Sequence, residues 1–375
     1  MSDNVHFTEL PCSDGVHKIA VATLDNPASL NALTLDMLTD LKQQLVLWHD
    51  DESIVCVVLE GAGEKAFCAG GDVRTMHQWM QSGPAEQTQE RCSHFFTIEY
   101  QCDYLIHTYC KPIIAWGQGI VMGGGMGLYM GASHKVVTPD SRLAMPEVSI
   151  GLYPDVGGTW FLNRLDSGVG MFLGLTGVMV NATDAVAIHL ADHLVMPQHR
   201  QQLTEQLQIA DWECVDDVYE VVTELLEGFA LQVNHQPQAQ MVPYLGQIRL
   251  ACSADNVIQV LDNIQAIQGD SKWLDVAKAN SKLGSPITAH LCFRQMTQYR
   301  DLSLADCFRL ELNISVRSAL LGEFQEGVRA RLVDKDGQPR WRYPNVAAVE
   351  PEVIDELCRS LWPLDAHPLA QLGHY

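Results

Sequence analysis

Two stretches of this chain share one form, a near-continuous apolar run that ends in a cluster of glycines. Ile54-Val55-Cys56-Val57-Val58-Leu59 leads into a loop, Gly61 to Asp72, that closes on Cys68-Ala69-Gly70-Gly71-Asp72. Pro112-Ile113-Ile114-Ala115-Trp116 leads through Gly117 to Met122-Gly123-Gly124-Gly125. A run with no polar alternation is the pattern of a strand buried on both faces, and such a strand needs further layers to cover it. Helices are expected after each glycine cluster, from near Val73 and on through Met130. Strands are also expected at 18–24 and 134–137. Between them, Leu35, Leu38, Leu41, Leu45 and Trp48 form one stripe of an amphipathic helix, with Thr34 as its N-cap. Strands alternating with helices, with glycine at the strand ends, place this part in the α/β class.

The pattern changes after about residue 196. From 197 to 332 it is almost entirely helical, with helices expected at Val215–Phe229, Ala254–Ile264, Ile287–Tyr299 and Leu304–Leu321, the last capped by Ser303. The expected organisation is a core over 1–196, a helical region over 197–332 and a tail over 333–375 that packs on the body. A length of 375 residues suits one large domain with an appendage, or two domains.

With 47% hydrophobic and 19% charged residues the chain can build a sizeable core. Its net charge of −22 should repel nucleic acid and anionic membrane, so neither is expected as a partner. No apolar run approaches membrane-spanning length, and Met1-Ser2-Asp3-Asn4 has no basic leader character. The 11 cysteines are scattered from Cys12 to Cys358 without a C-x-x-C pair. That points to reduced thiols, no metal site and a cytoplasmic location.

Glycine lets a backbone N–H approach a ligand with no Cβ in the way, and a helix N-terminus adds partial positive charge. Gly117-x-Gly119-x-x is followed by Met122, so no dinucleotide fingerprint is completed, and there is no phosphate-binding P-loop. Two such loops suggest two N–H donors aimed at one oxygen; the alternative is a pair of tight strand-to-helix turns. A third element, Met145-Pro146-Glu147 through Tyr153-Pro154-Asp155-Val156-Gly157-Gly158, sets two acids eight residues apart, each directly after a proline. Paired carboxylates suit acid/base or nucleophilic chemistry. Alternatively, Asp155 caps a helix running from Val156 toward Leu165, and Glu147 is a solvated surface acid. Cys68 has no activating base in view.

These elements, together with Asn31-Ala32-Leu33-Thr34 and Gly63-Glu64-Lys65-Ala66-Phe67, resemble the crotonase (enoyl-CoA hydratase/isomerase) superfamily. Within it the chain looks most like the 3-hydroxyisobutyryl-CoA hydrolase branch. Glu326-Gly327-Val328-Arg329-Ala330 and Lys335-Asp336-Gly337-Gln338-Pro339-Arg340-Trp341 extend that likeness to nearly the whole chain. The resemblance implies a ClpP-like spiral of ββα units with a helical C-terminal region. It implies that the Gly71 and Gly124 amides form an oxyanion hole, that Glu147 and Asp155 are catalytic, and that Glu99 lies near the acyl group. It also implies that Ala66, Phe67, Ala69 and Asp72 line the adenine end of coenzyme A, which belongs to the substrate, so that no separate cofactor is needed. Hydratases of this superfamily carry a second glutamate in Gly-Gly-Gly-x-Glu; here that position is Gly127. Hydrolysis of a short-chain 3-hydroxyacyl-CoA is therefore expected, with a hydratase or isomerase, or a non-catalytic acyl-CoA-binding homologue, as the alternatives.

Arg329, Arg331, Lys335, Arg340 and Arg342 form a basic cluster, and Lys65 and Arg74 flank the first loop. Some of these are expected to meet the coenzyme A phosphates; the alternative is a solvated face pairing with Glu323, Glu326 and Asp334. A homo-oligomer is left open, since relatives in the superfamily assemble through their C-terminal helices.

Overall fold

The apolar run after Ser53 is a strand with seven of its eight residues buried, as two-sided burial requires. It belongs to a six-stranded sheet in the computed structural model, which describes residues 4–213, 217–230 and 236–374. The strands are β1 (Val5–Pro11), β2 (Lys18–Leu24), β3 (Ile54–Gly61), β4 (Ala66–Cys68), β5 (Ile113–Gly117), β6 (Ile120–Met122), β7 (His134–Val137), β8 (Arg142–Ala144), β9 (Val180–Asn181) and β10 (His193–Leu194). The large sheet runs β1-β2-β3-β5-β7-β10, and a small one runs β4-β6-β8-β9. In the large sheet β1 is antiparallel to β2 and every other pairing is parallel.

Three times in succession a strand of the large sheet is followed by one of the small sheet: β3 then β4, β5 then β6, β7 then β8. The first two pairs lead into helices, α2 (Val73–Ser82) and α4 (Gly124–Met130), the latter following α3 (Ala85–His107) in the numbering. This is the expected ββα repeat. Alternate residues Cys56, Val58, Ile114 and Trp116 of the large sheet form one core cluster with Leu203, Leu207, Val222 and Leu226 from the helices His199–Ile209 and Val218–Ala230. The amphipathic helix α1 (Leu35–Asp50) buries the expected stripe at Leu38, Leu41, Leu45 and Trp48 but leaves Leu35 half-buried, and Thr34 caps it by accepting from the Met37 amide.

The chain gathers into two compact units built from separated segments. Met1–Gly71, Leu105–Leu143 and Val180–Ala239 form the first, which holds both sheets but for Ala144 at the end of β8. Asp72–Tyr104, Ala144–Met179 and Gln240–Tyr375 form the second, which is dominated by helices. In the second unit Val169–Thr176, buried along its whole length, packs against Lys272–Leu283 and Pro286–Thr297. Leu304–Leu321 spans the expected residues, and the Ser303 side chain caps it at the Asp306 amide. The expected helices at 254–264 and 287–299 are observed as Val257–Ala266 and Pro286–Thr297. That expected at 215–229 is observed as Val218–Ala230; its first positions, like Met1-Ser2-Asp3, lie outside the described residues.

Candidate active site

The two glycine loops of the first unit touch. A Cβ on Gly70, whose φ is +107°, would lie 3.3 Å from the Met122 carbonyl oxygen and 3.6 Å from the Gly124 nitrogen. A Cβ on Gly125 would lie 2.4 Å from the Cys68 carbonyl oxygen, so only glycine permits the approach. The Leu33 amide donates to the Gly70 carbonyl, and a parallel bridge joins Leu33 to Gly71, anchoring the first loop. Gly124 is the first residue of α4, so its N–H has no acceptor within the helix and carries the positive end of the helix dipole.

The neighbours of these loops are committed to structure. Cys68 is buried, and its Sγ accepts from the Gly70 amide and donates to the Gly70 carbonyl. Ala66 and Phe67 are buried, with the Ala66 carbonyl accepting from the Asn31 side chain and the Phe67 ring against Tyr129. Ala69 donates its amide to the Leu30 carbonyl. Gly127, at the position of the hydratase glutamate, is buried within α4.

The second unit holds the acids. Glu147 lies on a single turn of 3-10 helix, Glu147–Ser149, and Asp155 lies on the turn that precedes the short helix Gly158–Phe161. Both are buried, so neither is a solvated surface acid. Asp155 does not cap that helix, whose N-cap is Gly157; instead its Oδ2 accepts from the Tyr100 hydroxyl at 2.6 Å. The Tyr100 hydroxyl also lies 2.6 Å from Ser315 Oγ, and Tyr153 lies 2.9 Å from the same Oγ while donating to the Glu311 carbonyl. Glu99, Asp103 and Glu311 are likewise buried. Asp72, also of this unit, caps α2 by accepting from the Thr75 amide and hydroxyl.

Burial raises the carboxyls of this cluster above their ordinary values, and for most of them neighbouring acids add to it. Burial, then the charge of Asp155, raises Glu147 well above the usual carboxylate range. Glu99 is raised well above it by the same two causes. Burial lifts Asp155 to about 7 against the opposing hydrogen bond from Tyr100, and lifts Glu311 to about 8. The second oxygen of Glu147, Oε2, has no hydrogen-bond partner among the described residues, and neither has either oxygen of Asp103.

Asp103 was not singled out from the sequence, although it stands one helical turn beyond Glu99 on α3, a spacing that puts both on one face. Burial, then Glu99, Asp155 and Glu311, raises it well above its ordinary value. A carboxyl that keeps its proton in the native state but releases it when unfolded makes stability fall as pH rises above the unfolded value. Asp103→Asn removes that dependence. The variant should gain about 1 kcal/mol or more over wild type at pH 8 and little at pH 4. Thermal denaturation across that range checks it; a larger gain at low pH contradicts the assignment.

Within the basic cluster, the Arg329 side chain is paired. Arg329 bonds Glu326 at 2.8 Å, Asp334 at 2.6 Å and Asp336 at 2.7 Å, and the Arg340 and Arg342 amides donate to Glu326 and Glu323. Three carboxylates thus engage the Arg329 guanidinium. Among the described residues no group of His, Cys, Asp and Glu could hold a metal ion, and no helix is long and apolar enough to cross a membrane.

The mixed sheets and strand–strand–helix repeat make this an α/β protein, and the chain belongs to the enoyl-CoA hydratase/isomerase family, whose model matches residues 19–358. Its relatives include proteins named 3-hydroxyisobutyryl-CoA hydrolase, mitochondrial. That of Danio rerio is 35% identical over 92% of this chain and 88% of its own length, and that of Homo sapiens is 32% identical over 92% and 87%. Among solved structures, a carnitinyl-CoA dehydratase from Mycobacterium thermoresistibile superposes with a TM-score of 0.83 at 28% identity, covering 99% of this chain and 100% of its own. An enoyl-CoA hydratase from Rhodobacter sphaeroides gives 0.80 at 28% identity, over 96% and 98%. The expected crotonase fold is thus found. The expected cytoplasmic location is overturned, because these hydrolase relatives are named as mitochondrial. Unbridged cysteines, such as buried Cys56 and Cys292, do not identify a compartment.

Proposed function

We propose that the chain hydrolyses a short-chain 3-hydroxyacyl-CoA thioester, with 3-hydroxyisobutyryl-CoA giving 3-hydroxyisobutyrate and free coenzyme A, a step of valine degradation. The observation that carries this reading is the pair Glu147 and Asp155, buried among acids, combined with Gly127 where a hydratase holds its second glutamate. Relatives of that name, matching over 92% of the chain, support the same substrate.

In this reading the Gly71 and Gly124 amides stabilise the negative charge that develops on the thioester oxygen, each contributing roughly 3 kcal/mol to the barrier. Glu147, once ionised, either attacks the carbonyl carbon to give an anhydride that water cleaves, or takes a proton from the attacking water. In both routes the C–S bond breaks, a C–O bond from water replaces it, and the thiolate leaves with a proton. Asp155 and Glu99 serve the substrate hydroxyl and the acyl group. Ala66, Phe67, Ala69 and Asp72 line the adenine end.

The superposable hydratase and dehydratase favour a second reading, addition or removal of water on the same fold. Free-thiol release measured over 3-hydroxyisobutyryl-, 3-hydroxypropionyl- and isobutyryl-CoA separates the two. The proposal predicts thiol release that is fastest with a 3-hydroxyl present. Equal rates without the hydroxyl contradict the substrate class, and no thiol release with any of the three contradicts hydrolysis.

A further inference from the structure

The turn that presents Asp155 adopts a conformation its residues do not favour. Val156 has φ +52° and Gly157 has φ +86°, two consecutive residues in the left-handed region. Glycine accepts that region freely, but a β-branched valine adopts it only at a cost in free energy. Something in the fold must hold the turn there.

Two fully buried side chains do so. Glu311, on the helix Leu304–Leu321, accepts the Gly157 amide on Oε2 and the Thr159 amide on Oε1, both at 2.8 Å. Gln295, on the helix Pro286–Thr297, donates from Nε2 to the Pro154 carbonyl at 2.7 Å and to Thr159 Oγ1 at 2.8 Å. The chain is therefore tied on both sides of Asp155, at Pro154 before it and at Gly157 and Thr159 after it. Ser315, one helical turn beyond Glu311, meets the Tyr100 hydroxyl that orients the Asp155 carboxyl, so one helix supports both the backbone and the side chain.

We infer that Glu311 and Gln295 are positioning residues that clamp the strained Pro154–Thr159 turn and so fix the direction in which Asp155 is presented. Neither needs to touch substrate. The inference rests on the catalytic reading of Asp155. A glutamine at 311 must turn its NH2 toward one of the two amides it now accepts from, so Glu311→Gln breaks the clamp with almost no change in volume.

Steady-state thiol release with 3-hydroxyisobutyryl-CoA tests this with Glu311→Gln, Gln295→Met, Val156→Gly, the two doubles containing Val156→Gly, and Asp155→Asn as reference. Glu311→Gln should lower kcat about 20-fold or more while KM stays within about 3-fold, as expected when a reacting group is misplaced. Gln295→Met should act in the same direction. Adding Val156→Gly to either should raise kcat several-fold, because glycine takes the required φ without cost, whereas in the otherwise native protein it gives no such rise. A purely structural role would lower stability without this kcat-specific rescue. Wild-type kcat in Glu311→Gln, or a loss that Val156→Gly does not relieve, overturns the inference. If Glu311→Gln does not fold, the Gln295→Met pair decides by the same comparison. Full turnover in Asp155→Asn removes the catalytic reading itself; an inactive Asp155→Asn beside unaffected clamp variants removes the clamp alone.

Discussion

Glu147→Gln should lower kcat for thioester hydrolysis about 1,000-fold, the range expected when a positioned acid/base group is lost. An amide neither attacks the carbonyl nor takes a proton from water. The fold should survive, because burial and the Asp155 charge already favour the neutral carboxyl, so the amide removes no charge that the native state depends on. Asp155→Asn should cost about 100-fold, since its amide oxygen can still accept from the Tyr100 hydroxyl. The pH profile carries the same signature. Glu147 is raised well above its ordinary value and Asp155 is lifted to about 7, so the ionised forms are scarce in acid. Activity should climb steadily between pH 5 and 8. Near wild-type rates in both variants, or a flat profile over that range, would remove these acids from the chemistry.

The second large effect is expected from Gly124→Pro. Proline has no N–H, and the first position of a helix is where it is best tolerated. The substitution deletes one proposed oxyanion donor while leaving α4 its start. It should lower kcat by about 100- to 1,000-fold with KM changed far less, because the charge on the oxygen develops only toward the transition state. Thermal denaturation close to wild type separates this from unfolding. A folded Gly124→Pro protein with native kcat means that the Gly124 amide does not hold the oxygen.

Much of the scaffold was legible because its signals are local. The unbroken apolar run of β3, the stripe from Leu38 to Trp48 and the Ser303 cap each lie within one element and appear where expected. The small sheet was not legible: β4, β6, β8 and β9 have only two or three residues each, too few to show a period. Glu147 and Asp155 could be picked out by the prolines before them. Their surroundings could not, because Tyr100, Glu311 and Ser315 reach the Asp155 turn across 55 to 162 positions of sequence separation and carry no local mark. For Arg329 the sequence left two readings open, contact with a coenzyme A phosphate and pairing with neighbouring acids. Its partners Glu326, Asp334 and Asp336 are near in sequence, and only their geometry shows that they occupy it.

The most direct test of hydrolysis is the stoichiometry of one reaction: purified protein with 3-hydroxyisobutyryl-CoA, scoring free coenzyme A, 3-hydroxyisobutyrate and any enoyl-CoA together. Thiol and hydroxy acid should appear in equal amounts as the thioester disappears, with no enoyl-CoA, and Glu147→Gln should slow both together by about 1,000-fold. Consumption of the thioester with enoyl-CoA formed and no thiol released would contradict hydrolysis.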